Sequence, residues 1–236
     1  SKLVLYRDKV IAASRKAYLT FLSSLCSASM LTWVRQPLGL ITPFFVEKKG
    51  GMIRLVWDCR LVNLLFRWAP HIDLGSLDCL SNVDLSSGHS MWISQADVKN
   101  CFYQVKLPQW LIPYFCLDPL SMSEAIALGA QHDHKGLSLD FGLVRPISPA
   151  LCVLPMGWSW AFWIVQKLHE SICDDAGFAV DRRLVAGWIA PSFEKHESFA
   201  MPYCDNLTVC GSSEASSVAG LMWLLKAFQV KGFVMH

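Results

Sequence analysis

The chain lacks any apolar stretch long enough to cross a bilayer. Its longest candidate, Ala150 to Val165, is interrupted by Pro155, Gly157 and Ser159 and falls short of the roughly 18 clean apolar residues that a spanning helix needs. No membrane association and no secretory leader are expected. Paired cysteines are also missing. Nine cysteines, at positions 26, 59, 79, 101, 116, 152, 173, 204 and 210, form no Cys-x-x-Cys; an odd, scattered set reads as reduced, mostly buried thiols of a cytoplasmic or nuclear protein, and argues against a disulfide framework or a zinc site. Charge is scarce as well. Only 17% of residues are charged and the net charge is +2, so the whole-molecule field gives weak support for nucleic-acid binding and any basic surface must be local. Internal repeats and low-complexity tracts are absent.

Hydrophobic residues are abundant, at 53% of 236. That is too apolar for disorder and enough to build one large domain or two packed subdomains. The excess points to surface covered by further chain or by a partner. The chain begins at Ser1 without methionine and stops at His236 after an amphipathic segment, and is read as a fragment of a longer product.

Apolar positions at helical spacing over residues 4–28 (Val10, Ile11, Ala17, Tyr18, Phe21, Leu22, Leu25) predict one helix. Pro37 and Gly39 break the chain, and the β-rich run Ile41 to Glu47, the turn Lys48-Lys49-Gly50-Gly51 and the return run Met52 to Cys59 predict a hairpin over 41–59. Trp92 to Asp97 reads as a buried strand, Tyr114 to Leu117 and Leu151 to Leu154 as further strands, and 121–149 as a loop with a polar centre at Gln131 to Gly136. Ser159 to Cys173 reads as a buried helix, Met201 to Cys210 as a tight hairpin, and Ser216 to Val230 as a helix with Val218, Leu221, Leu225 and Phe228 on one side. Strands and helices mix without regular alternation, which indicates α+β rather than a doubly wound sheet.

Two carboxylates carry the most chemistry. Asp205 sits at the tip of the predicted hairpin in Tyr203-Cys204-Asp205-Asn206, and Asp97 ends the strand Gln95-Ala96-Asp97 about a hundred residues upstream. Mg²⁺ takes oxygen ligands, usually one or two carboxylates plus substrate phosphates, and two strand-end aspartates suit such an ion. Singly, each is better explained as a turn cap. A basic set, Lys48, Lys49, Arg54 and Arg60, lies on the 41–59 hairpin and just beyond it. It suits a triphosphate, although Lys48 and Lys49 alone are what any solvated turn carries. Arg54 and Arg60 interrupt apolar sequence and need an anionic partner, for which Asp58 is one candidate. In Leu154-Pro155-Met156-Gly157-Trp158 the glycine allows a close backbone approach before a helix start, a common arrangement. His132-Asp133-His134 offers two imidazoles without a third placed ligand and reads mainly as surface. Trp158, Trp160 and Trp163 can stack on bases but at helical spacing read as core.

In their order these segments resemble the fingers and palm of retroelement reverse transcriptases. The run from Phe44 to Asn63 looks like the fingers hairpin, Asp97 to Phe102 like the first palm motif, Leu154 to Trp158 with Gln166 at helical distance like the second, Tyr203 to Asn206 like the Y-x-D-D box, and Leu221 to Val234 like the start of the fourth. The resemblance covers roughly residues 30–236. It implies an α+β right-hand polymerase with an antiparallel palm sheet flanked by helices and the thumb absent. Its parts would be an N-terminal helical segment (1–29), fingers (30–96) and palm with part of the fingers (97–236, including a loop insertion at about 121–149). The implied reaction is RNA-directed DNA synthesis with two divalent ions, Mg²⁺ or Mn²⁺. Template, primer and deoxynucleoside triphosphates would be its partners, beside further domains of the same polyprotein. By position, Asp97 and Asp205 with the Val98 carbonyl would hold metal. Asn206 occupies the third catalytic position, Lys49 and Arg54 would hold the triphosphate, Phe102 would screen the sugar 2′ position, and Met156, Gly157 and Gln166 would line the nucleotide and template side.

Two departures stand out. The family's second aspartate is Asn206, which removes one charge from the site, and its helix-starting Ser-Pro is Ala161-Phe162. These departures motivate a competing reading, a decayed polymerase-like remnant that at most binds nucleic acid. A metal-dependent nuclease or phosphatase using the same carboxylates ranks last, because neither aspartate has a histidine or acidic cluster near it in sequence.

Overall fold

The structure is a computed structural model, and it describes residues 3–47, 50–86, 88, 90–139 and 146–235. In chain order the elements are α1 (Lys9–Ala13), α2 (Arg15–Ser27), β1 (Leu31–Val34), β2 (Thr42–Glu47), β3 (Ile53–Asp58), α3 (Arg60–Asn63), β4 (Trp92–Asp97), α4 (Cys101–Gln104), α5 (Met122–Ala127), β5 (Ser148–Leu151), α6 (Ala161–Asp175), β6 (Ser198–Ala200), β7 (Asn206–Gly211) and α7 (Glu214–Val230). This is an α+β protein with small antiparallel sheets. The chain divides into two compact units, each built from two stretches: Ser1–Trp68 with Phe102–Ala161, and Ala69–Cys101 with Phe162–His236.

In the first unit, β2 and β3 form the expected hairpin, with Thr42 facing Asp58 and Glu47 facing Ile53. Lys48 and Lys49 at its tip lie outside the described residues. The helix expected over 4–28 is two helices. Ser14 is extended (φ −138°, ψ 114°) and its hydroxyl accepts the Ala17 amide, so the residue that ends α1 caps α2. The strand expected at Tyr114 to Leu117 is instead a 3₁₀ turn, Ile112–Tyr114, followed by isolated bridges at Cys116. Phe115, at φ −112° and ψ 46°, leaves the extended conformation and breaks the ladder at that point. β5 begins three residues earlier than expected and pairs with β1. The 121–149 stretch contains α5, which the sequence reading missed. Its signal was present: Ser121 and Glu124 form a reciprocal capping box. Residues 140–145 lie outside the described set. Leu22, Trp57, Phe115, Leu151 and Leu154 are buried in this unit.

The second unit is a three-stranded antiparallel sheet in the order β4-β7-β6, with α7 packed against it. Cys79, Val83, Leu184, Phe193, Phe199, Met201 and Cys210 form a core cluster. Gly220 is required at the helix–sheet contact, since a Cβ there would come within 2.8 Å of Val209 Cγ1 and 3.1 Å of Ser198 Oγ. The packed face of α7 is therefore Ser217, Gly220, Leu224 and Phe228, whereas Val218, expected on it, is exposed. Small residues set that face because they let the helix lie close to β7; the apolar-only reading gives a face that shares Phe228 with the observed one but is rotated toward exposed Val218. β4 is likewise more exposed than expected for a buried strand, with Trp92 and Ile93 both open to solvent. It is an edge strand, covered on fewer sides than a central one.

Candidate metal centre

Asp97 ends β4 directly opposite Asn206, the first residue of β7. Opposed residues in an antiparallel pair project to the same face. One step further, the Val98 amide donates to the Asp205 carbonyl at 3.0 Å. The sequence Tyr203 to Asn206 is a tight turn closed by the Asn206 amide on the Tyr203 carbonyl at 2.9 Å. Cys204 has φ 53° while Asp205 keeps an ordinary negative φ, the type II′ pattern that matches strand twist. Asp97 and Asp205, about a hundred residues apart in sequence and both half-buried, thus stand at neighbouring backbone positions where β4 ends and β7 begins.

Cys101 reports the same convergence. Its thiol is pushed up to about 12, chiefly by burial and then by Asp205 and Asp97. Cys204 behaves alike: burial first, then Asp205 and Cys101, hold it at about 12. Both thiols are therefore protonated near neutral pH and act as packing. All nine cysteines are free.

The turn is held from behind by α6. The Gln166 carboxamide oxygen accepts the Cys204 amide at 2.7 Å, and its NH₂ donates to the Pro202 carbonyl at 3.2 Å and to Glu170 at 3.1 Å. His169 Nδ1 lies 2.8 Å from the Cys204 carbonyl. Phe162, which stands at one of the two departures in the helix start, meets the Tyr203 ring edge to face at 5.9 Å. Gln166 is buried with its amide fully engaged, so its visible work is to hold the turn. His169 and Phe162 are supporting residues the sequence reading missed; a histidine three positions after Gln166, on the same helix face, was the available signal.

As a donor set, Asp97, Asp205 and the Asn206 amide supply oxygen and no soft ligand. No group of three or more His, Cys, Asp or Glu able to hold a metal occurs among the described residues. The set fits a hard divalent cation that keeps waters and substrate oxygens in its shell, and does not fit a closed structural cage. The His132-Asp133-His134 candidate resolves differently. Asp133 is buried, accepts the Lys135 and Leu137 amides and pairs with Arg35, which makes it a turn-forming residue.

The remaining site candidates belong to the first unit. Arg54 is exposed on β3 opposite Val46, and Phe102 and Met156 are half-buried. Arg60 pairs with Asp58 through two guanidinium contacts at 2.8 and 2.7 Å, as the anionic-partner argument anticipated. Gly157 has φ 127°, and a Cβ there would lie 2.0 Å from the Trp57 carbonyl oxygen. The close approach that demands glycine is to the protein's own backbone. Around it the Trp57 amide donates to the Met156 carbonyl at 2.9 Å, and Asn63 bridges the Gly157 carbonyl and the Ser159 amide. Trp158 is buried edge to face between Phe66 and Phe115, as core. Lys49 lies outside the described residues. No helix among the described residues is long and apolar enough to cross a membrane.

No family model matches this chain, and no curated protein sequence does. Among solved structures it is similar to a foamy viral protease–reverse transcriptase, dRH, determined in complex with double-stranded DNA. The TM-score is 0.60 and the identity 13%, over 99% of this chain and 32% of that one. The fold is therefore reverse-transcriptase-like, and the chain spans about a third of that neighbour's length.

Proposed function

We propose that the chain is the fingers and palm of a retroelement reverse transcriptase, with Asp97 and Asp205 as its metal-holding carboxylates. The observation that carries this reading is the β4–β7 register, which sets two sequence-distant aspartates at adjacent strand ends in the motif order of that family. Asp97 and Asp205, with the Val98 carbonyl, would hold two Mg²⁺ or Mn²⁺ ions. Such ions neutralise charge at the attacking primer oxygen and the leaving pyrophosphate. The chain's own residues orient and bind. The buried Gln166 keeps the turn in its II′ form, Arg54 and Lys49 would pair with triphosphate oxygens, and Phe102 would exclude a 2′-hydroxyl by bulk. Met156 and Gly157 would line the nucleotide and template side.

Asn206 favours a second reading, a catalytically decayed remnant that retains nucleic-acid binding. With a neutral amide opposite Asp97, the site carries one negative charge fewer than three carboxylates would supply. Primer extension on an RNA template with Mg²⁺ or Mn²⁺ separates the two. Incorporation that Asp205→Ala abolishes supports the polymerase; no incorporation, even after Asn206→Asp, supports the remnant.

A further inference from the structure

We propose that His169 is a positioning residue for the metal centre, acting through the Cys204 carbonyl to fix the peptide that carries Asp205. This rests on the reading of Asp205 as a metal ligand. Cys204 adopts a positive φ of 53°, which a residue with a Cβ keeps only when its surroundings over-determine it. Both polar groups of its backbone are held by side chains from one face of α6: the amide by Gln166 and the carbonyl by His169. The carbonyl belongs to the peptide plane between Cys204 and Asp205, so its orientation sets where the Asp205 side chain leaves the turn.

The chemistry of that contact fixes the ring's state. A carbonyl oxygen only accepts, so Nδ1 carries the proton and donates. Nε2 is then a lone-pair acceptor, buried and without a hydrogen-bond partner. The ring packs edge to face on Phe228 at 5.1 Å. Burial lowers the histidine's pKa to about 4, so it is neutral near pH 7 and places no cation behind the two aspartates. A leucine or methionine would fill the same space without stranding a nitrogen, and a stranded buried acceptor is a stability cost. The bond to the turn is what the histidine offers in return. Partners one step behind metal ligands are known to tune affinity in this way.

The test compares His169→Asn with His169→Gln by Mn²⁺ titration of the folded chain, read by electron paramagnetic resonance and needing no turnover. Asparagine places its NH₂ at the same bond count from Cβ as Nδ1, whereas glutamine places it one bond further out. The expected result is near-native Mn²⁺ affinity for His169→Asn and a loss of about tenfold to a hundredfold for His169→Gln. A purely packing role ranks them the other way, because asparagine leaves the larger hole beside Phe228. Equal affinities, or the reverse order, overturn the proposal and leave the metal site standing. Wild-type protein that binds no Mn²⁺, or binds it as well after Asp205→Ala, overturns the metal reading and this inference with it. On wild-type protein, whose folding is not in question, the slowly exchanging His169 Nδ1–H proton resonance is expected to shift as Mg²⁺ saturates. A resonance that does not move while Mg²⁺ binds overturns the proposal.

Discussion

Val98 donates its amide hydrogen to the carbonyl oxygen of Asp205 over 3.0 Å. That bond continues the β4–β7 ladder one step past the Asp97–Asn206 pair and ties the end of one strand to the turn before the other. The backbone carrying Asp205 is therefore fixed to the residue that follows Asp97.

Asn206→Asp tests the opposed pair. Asp97 faces position 206 directly, and like charges across a strand pair destabilise by about 0.2–1 kcal/mol. The urea midpoint of the metal-free variant should fall by a corresponding amount. Added Mn²⁺ should reverse the loss, because an ion that binds only the folded state stabilises it by mass action.

Gly157→Ala tests the Trp57 contact. The substitution combines a φ of 127° with a Cβ placed 2.0 Å from a backbone oxygen. Neither β3 nor the turn can yield without breaking the Trp57–Met156 hydrogen bond. A loss of about 2–4 kcal/mol is expected, read as a lower urea midpoint by far-ultraviolet circular dichroism. A midpoint within error of wild type would show that the turn relaxes freely.

Asp58→Asn tests the pairing at the base of the hairpin. Asp58 is buried and accepts the Tyr6 amide at 2.8 Å beside its contacts with Arg60. The Arg60 guanidinium lowers the Asp58 pKa first, and the Tyr6 amide adds to that. A depressed carboxylate contributes stability above its ordinary pKa and loses it as pH falls through the folded value. Arg60 is largely solvated, so solvent screening keeps the pair's contribution at pH 7 modest. The difference between wild type and variant in urea unfolding should shrink as the pH is lowered below 4.

His169 loses its contribution in the same direction as Asp58, as pH falls, but in a higher window. Its pKa falls from 6.5 in the ordinary state to about 4, chiefly because burial disfavours the imidazolium. The unfolded chain binds the proton first as pH drops, so the contribution is complete above about pH 6.5 and is lost toward pH 4, on the order of 3 kcal/mol. His169→Asn should flatten the pH dependence of the urea midpoint in that window. An unchanged slope would show that the ring is not held neutral by the fold.

The sequence reading reached some of this and missed the rest for physical reasons. The β2–β3 hairpin and the Tyr203 turn were legible because glycine-rich or tight turns between β-rich runs constrain the chain locally. The pairing of Asp97 with the turn was legible only through motif order, since no local signal connects residues a hundred positions apart. The break at Ser14 has no clear sequence signal, because a serine between helical runs is a cap only when its own φ and ψ turn extended. Apolar periodicity over α7 finds Phe228 but turns the face toward Val218, because it cannot represent a surface built partly from Ser217 and Gly220. A glycine before a helix start suggests room for a ligand, whereas the approach Gly157 permits is to Trp57. The Gln166 and His169 bonds to the turn were illegible in the same sense: each is a side chain reaching main chain more than thirty residues away.

The most direct test of the metal centre is diffraction from crystals of this chain soaked in Mn²⁺, recorded at the manganese absorption edge. The account predicts anomalous density bound by both the Asp97 and Asp205 carboxylates, and, with a nucleotide present, two peaks about 3.5–4 Å apart. Carboxylates more than about 8 Å apart could not share such a pair, and that separation, or the absence of manganese at either aspartate, would contradict it.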